Sequence, residues 1–277
     1  DLHRAVLLHV MCAATDDPVI EVQDLVVRYG RTTVLEGVSF TVRRGEIFVI
    51  LGGSGSGKTT LLRTLVGLIR PASGRIVMMG RDMTAMDESE RSALRTRIGM
   101  CFQGSALLNS ISVADNVALP LREHTRLEES TMKIMVSIKL GLVGLAGAED
   151  KLPSELSGGM RKRAGIARAM AMDPEIIFYD EPSAGLDPIV AAGLDGLIRK
   201  MQETFKLTSV VVTHEMESVR LIADTICVLH RGRVAGIGSL AELEASEHPY
   251  IQQFMARRPD DDEVGESDYA RQVAGFE

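Results

Sequence analysis

Nine residues, Gly52-Gly53-Ser54-Gly55-Ser56-Gly57-Lys58-Thr59-Thr60, carry the spacing G-x-x-x-x-G-K-[ST] between the apolar run Ile47 to Leu51 and a leucine-rich segment from Leu61. In a strand–loop–helix setting this is a phosphate loop. Glycines let the backbone turn several N–H groups toward a polyphosphate, and the helix that follows adds the positive end of its dipole. Lys58 is then expected to reach the β- and γ-phosphates, and the Thr59 hydroxyl to ligate Mg²⁺. The pattern implies a nucleoside triphosphate and says nothing about what its energy drives.

Other stretches add chemistry. Ile176-Ile177-Phe178-Tyr179 runs into Asp180-Glu181, which suits a buried strand ending in one carboxylate for the Mg²⁺ shell and one to polarise an attacking water. Leu156-Ser157-Gly158-Gly159 places a capping hydroxyl and bare N–H groups at a helix start, a second anion site that one nucleotide does not need. His214 follows the apolar run Ser209 to Thr213 and is a candidate γ-phosphate contact. Gln103, after Ile98 to Phe102, is either a neutral ligand for Mg²⁺ or water, or a surface amide. Tyr29, at a strand end, either packs or stacks on a purine.

These residues need a frame. Val19–Val22, Leu25–Tyr29 and Val38–Val42 read as short strands which, with the buried run Ile47–Leu51, suggest an antiparallel sheet beside the nucleotide. Leu61, Leu62, Leu65, Val66 and Ile69 follow helical spacing up to Pro71. From about 105 to 173 the pattern turns helical, with Met132, Met135, Val136 and Leu140 on one stripe. Strand and helix patterns then alternate to a closing hairpin around Arg231-Gly232. The fold expected is α/β: a P-loop NTPase core of the RecA-like kind, an N-terminal antiparallel β-subdomain and an inserted α-helical subdomain. Residues 1–18 read as a leader, 19–245 as the ATPase domain and 246–277 as a C-terminal extension with an acidic end. Residues 1–10 are taken as added or upstream sequence, with Met11 the expected start.

The chain of 277 residues has a net charge of -7, which offers no global case for nucleic acid. Cys12, Cys101 and Cys227 lack metal-ligand spacing and read as reduced thiols. No apolar stretch approaches the roughly 20 residues that span a bilayer.

In their order (phosphate loop, Gln103, Leu156 to Gly159, Asp180-Glu181, Asp187, His214) these motifs resemble the ATP-binding subunit of ABC transporters over about residues 19 to 245. The resemblance implies that Leu-Ser-Gly-Gly is the signature motif, clasping in trans the ATP held by a second copy. It makes Tyr29 the adenine-stacking ring, Gln103 a Q-loop residue that senses Mg²⁺ and the membrane partner, Glu181 the catalytic base, Asp187 the D-loop residue and His214 the switch histidine. Phe102 to Leu108, Asn116 to Thr125 and Met160-Arg161-Lys162-Arg163 are most similar to the ATPases of Mla phospholipid transport and Mce-associated systems. That implies ATP and Mg²⁺ as cofactors and a head-to-tail homodimer on permease subunits at the cytoplasmic face of the inner membrane. An Mce-domain protein and a small cytoplasmic regulatory subunit are further expected partners, and nucleic acid is not. Competing readings are an importer ATPase for another solute and a soluble ABC-type ATPase.

Overall fold

The computed structural model describes residues 17–256 and 258. The expected leader up to residue 16, with Cys12, and the acidic end of the extension lie outside the described residues.

The run Ile47–Leu51 forms β3, every residue of which is buried. Its side chains alternate between two separate cores: Ile47, Val49 and Leu51 face one, Phe48 and Ile50 the other. A strand covered on both faces reads as unbroken apolar sequence. This corrects the expectation that residues 19–51 share one antiparallel sheet. β3 lies inside a six-stranded sheet ordered β10-β9-β3-β8-β7-β6. Its members are β6 (Ile98–Cys101), β7 (Ile176–Asp180), β8 (Thr208–Thr213), β9 (Thr225–His230) and β10 (Arg233–Gly238). β6, β7, β8, β3 and β9 run parallel, and β10 closes the edge as an antiparallel hairpin with β9.

The antiparallel sheet is instead β2-β1-β4-β5, made of β1 (Pro18–Tyr29), β2 (Thr32–Arg43), β4 (Ser73–Met78) and β5 (Arg81–Asp82). The two strands expected within 19–29 are one, bulged at Asp24, whose φ is 46°. The Asp24 N–H donates to Ser39 Oγ at 2.8 Å, which satisfies the backbone at the irregularity. The two sheets meet face to face, with Phe40 of β2 stacked on Phe48 of β3 at 5.1 Å.

Between the sheets runs α1 (Lys58–Leu65), burying Leu61, Leu62 and Leu65. α2 (Glu88–Arg95) was not legible as a helix because only Arg91 and Leu94 of it are buried. Asp87 and Glu90 hold its start in a reciprocal capping box.

On the opposite face lie α3 (Val113–His124), α4 (Glu129–Leu142), a 3₁₀ turn at Pro153–Glu155 and α5 (Gly158–Ala169). Met132, Val136 and Leu140 are buried, and Met135 packs against them. Their core is continuous with one face of the six-stranded sheet, so helices and sheet share apolar contacts. α6 (Pro188–Phe205) and α7 (Met216–Ile222) cover the same face. After α8 (Leu240–Glu244) comes α9 (Pro249–Met255), whose Ile251 is 1 % exposed and sits in that core. The first part of the expected extension, through α9, therefore shares that core.

Candidate active site

The loop from Gly52 to Gly57 connects β3 to α1 at the carboxyl end of the parallel strands, where open α/β sheets place their ligands. Gly57 caps α1 with φ 102°, and a Cβ there would lie 2.7 Å from Leu35 Cδ2. Only glycine combines that conformation with that closeness to β2. Tyr29 is half-exposed at the tip of the same β1–β2 hairpin. Lys58 is buried and donates to the carbonyls of Gly52 at 2.8 Å and Gly53 at 2.9 Å. Burial lowers its pKa, and the carboxylates of Glu181 and Asp180 oppose that shift. Ser56 Oγ is buried with no hydrogen-bond partner among the described residues. Thr59 and Thr60 stand on the first turn of α1, and Ser54 and Gly55 form the outer bend of the loop.

Asp180 ends β7 and Glu181 follows it, both buried. Burial, then the neighbouring Glu181, raises the Asp180 pKa, with Arg63, Lys58 and Lys162 pulling the other way. Asp180 Oδ1 and Glu181 Oε2 are buried without a partner among the described residues. Two unpaired carboxylate oxygens beside a buried lysine are costly unless a cation is due there. The donor set therefore fits Mg²⁺, which Asp180 and the Thr59 hydroxyl would hold together with phosphate oxygens, as that small hard ion prefers. His214 follows β8, and its Nδ1 is 2.9 Å from Glu181 Oε1.

Gln103 is exposed after β6, and its carbonyl accepts from Lys162 Nζ. The remaining predicted residues stand apart. Ser157 caps α5, its hydroxyl accepting from the Met160 N–H at 3.3 Å. Asp187 caps α6, accepting from the N–H groups of Ile189 and Val190 at 3.2 and 3.1 Å. Gly158 and Gly159 let these two helix starts touch: a Cβ at Gly159 would lie 2.5 Å from Val190 Cγ1. Among the described residues no hydrogen bond or ion pair joins Ser157, Gly158, Gly159 or Asp187 to the phosphate loop of the same chain.

The sequence profile of the ABC transporter family matches residues 35–184. The chain belongs to this family. It is 42% identical over 239 residues to the probable ribonucleotide transport ATP-binding protein mkl of Mycobacterium tuberculosis, covering 86% of this chain and 67% of the relative. It is 41% identical over 241 residues to the intermembrane phospholipid transport system ATP-binding protein MlaF of Haemophilus influenzae, covering 87% and 91%. Among solved structures it is similar to a dimeric post-hydrolysis ATP-binding cassette bound to ADP and Pi, with TM-score 0.73, 29% identity, and 80% and 98% coverage. As an ABC ATPase the chain binds ATP and hydrolyses it with Mg²⁺ as the usual companion ion.

Two sets of contacts at this ABC site are not legible in the sequence. Arg161-Lys162-Arg163 carries a family resemblance but no sign of where its cations come to rest, and each of them ends on a backbone carbonyl. Arg161 donates to Leu156 at 2.6 Å and Arg163 to Val143 at 3.1 Å, while Lys162 reaches both Gln103 and Glu181, the latter at 3.2 Å. Tyr250 of α9 accepts the Gly53 N–H on its hydroxyl at 3.2 Å, with its ring against His230 at 3.6 Å. Only tertiary packing brings residue 250 to residue 53.

Proposed function

We propose that this chain is the ATP-hydrolysing subunit of an ABC transporter that moves phospholipid between membranes of a Gram-negative-type envelope, working as a head-to-tail homodimer. The observation that carries the dimer is the split of the site. One set, Lys58, Asp180, Glu181 and His214, gathers around the phosphate loop, while Ser157, Gly158, Gly159 and Asp187 present a separate face with no bond to it. Two copies related by a twofold axis set each face against the other's loop. Asp180, Thr59 and Gln103 would hold the metal, and Mg²⁺ when bound neutralises charge on the phosphates. Glu181 takes the proton of the attacking water, oriented by His214. Tyr29 covers the base. Ser157 and Gly159 of the second copy add donors where negative charge develops.

The groove between the sheet and the helices supports a membrane-embedded permease as partner. It is about 510 Å³, lined by Met100, Phe102, Ala106, Leu108, Leu119 and Pro120. The loop beside it is pinned by the buried Asn116, whose side chain accepts from the Leu108 N–H at 2.7 Å and donates to the carbonyls of Leu108 and Ser112 at 3.0 and 2.9 Å. Among the described residues no helix is long and apolar enough to cross a membrane. The chain is accordingly peripheral in this reading, at the cytoplasmic face of the inner membrane, and an Mce-domain protein and a small regulatory subunit complete the assembly.

A solute importer is the second reading, favoured by the ribonucleotide named for the mycobacterial relative. Purification from native membrane in mild detergent separates them. Co-purifying permease and Mce-type proteins with extracted phospholipid are the expected result; a solute-binding protein with no lipid would overturn the lipid reading.

A further inference from the structure

The helix that presents Ser157 and Gly159 to a second copy is also tied to its own chain's hydrolytic residue. One turn into α5, the half-buried Lys162 donates to the carbonyls of Gln103 and Glu181. Glu181 needs such a hold, because its φ of 46° is a conformation that L-residues leave readily. Its N–H donates to the Val212 carbonyl at 2.9 Å, so Lys162 on the carbonyl fixes the other side of the same residue. Farther along α5, Arg168 donates to the carbonyls of Ser105 and Ala106 at 2.7 and 2.6 Å, and these two residues are also left-handed, at φ 64° and 48°. α5 thus straps the loop 103–106 with two cations, and only the first of them reaches the hydrolytic residue.

Resting on the dimer reading above, we propose that Lys162 is a positioning residue that couples the two nucleotide sites. It links the helix start that clasps the second copy's ATP to the Glu181 beside the chain's own ATP. When α5 is drawn onto a nucleotide across the interface, Lys162 moves with it, and the backbone at Gln103 and Glu181 follows. A cation does this better than a neutral amide because charge-assisted bonds to two carbonyls are strong and Lys has donors enough for both.

The test uses the full chain with three variants: Lys162→Met, which keeps the apolar stem and removes every donor, Lys162→Arg, and Glu181→Gln. Turnover is followed against ATP concentration, nucleotide affinity is measured on dilute monomer, and ATP-driven dimerisation is scored in the Glu181→Gln background. K162M is expected to lower kcat about tenfold or more and to bring the Hill coefficient toward one. Monomer ATP affinity should stay within about twofold, and K162R should recover most of the loss. Wild-type kcat and cooperativity in K162M would overturn the proposal. Failure of Glu181→Gln protein to dimerise with ATP would overturn the dimer reading instead, and Lys162 coupling with it. If K162M is unstable at the assay temperature, Lys162→Leu, also apolar and without a donor, carries the same comparison.

Discussion

His214 Nδ1 and Glu181 Oε1 are 2.9 Å apart, which engages one oxygen of the carboxylate and leaves Oε2 buried and unpartnered among the described residues. In the role of base proposed for Glu181, a carboxylate held by one oxygen and open at the other suits receipt of a proton from a water in a fixed place. Glu181→Gln is expected to bind ATP normally and to hydrolyse it at least about a hundredfold more slowly, the scale of a lost catalytic base. His214→Ala should fall in between, since it removes the orienting bond and leaves the carboxylate. Single-turnover hydrolysis with nucleotide-binding titrations reads both, and near-normal turnover of Glu181→Gln would take that residue out of the role.

Ser157 caps α5 on an exposed face with no bond to the phosphate loop of its own chain. Ser157→Arg should therefore abolish turnover while ATP binding to the monomer stays largely intact. Loss of binding by the isolated monomer would contradict clasping in trans.

Burial and Glu181 raise the Asp180 pKa, so its ionised form is held at a cost in the nucleotide-free protein. For a carboxyl raised on folding, the stabilising contribution is present below its ordinary pKa and is lost as pH rises through the raised value. At neutral pH Asp180→Asn should thus melt higher than the wild-type chain without nucleotide, by about a few degrees, and lose Mg²⁺-dependent turnover. That gain should shrink as pH is lowered toward the raised pKa. Calorimetry across a pH series checks both signs, and a lower melting temperature for the variant at neutral pH would refute the account.

Glycines do different jobs. A Cβ at Gly52 would lie 2.3 Å from the Leu229 carbonyl oxygen, backbone that cannot step aside, whereas Gly147 has φ 83° and open space around it. Gly147→Ala should cost only the left-handed penalty, about 1–2 kcal/mol. Gly52→Ala should cost about as much as overpacking, 1–3 kcal/mol or more, and should also weaken ATP binding by displacing the loop. Thermal melts rank the two, and an ATP titration shows the second effect in Gly52→Ala alone.

Local sequence was enough for the phosphate loop, the strand ending in Asp180-Glu181, the capped start at Ser157 and the helical Met132-to-Leu140 stripe. Each follows from backbone and side-chain preferences acting within about ten residues, where glycine freedom, capping and apolar period leave a direct mark. Partner strands are set by burial on two faces at once, so β3 left the expected antiparallel sheet for the parallel one, and α2, with so little apolar surface to hide, left no period to read. Contacts between residues far apart in the chain were decided by the tertiary structure alone: Lys162 on Glu181 and Tyr250 on Gly53. Such contacts depend on how whole layers stack, and no spacing along the chain encodes where a long flexible side chain such as lysine comes to rest.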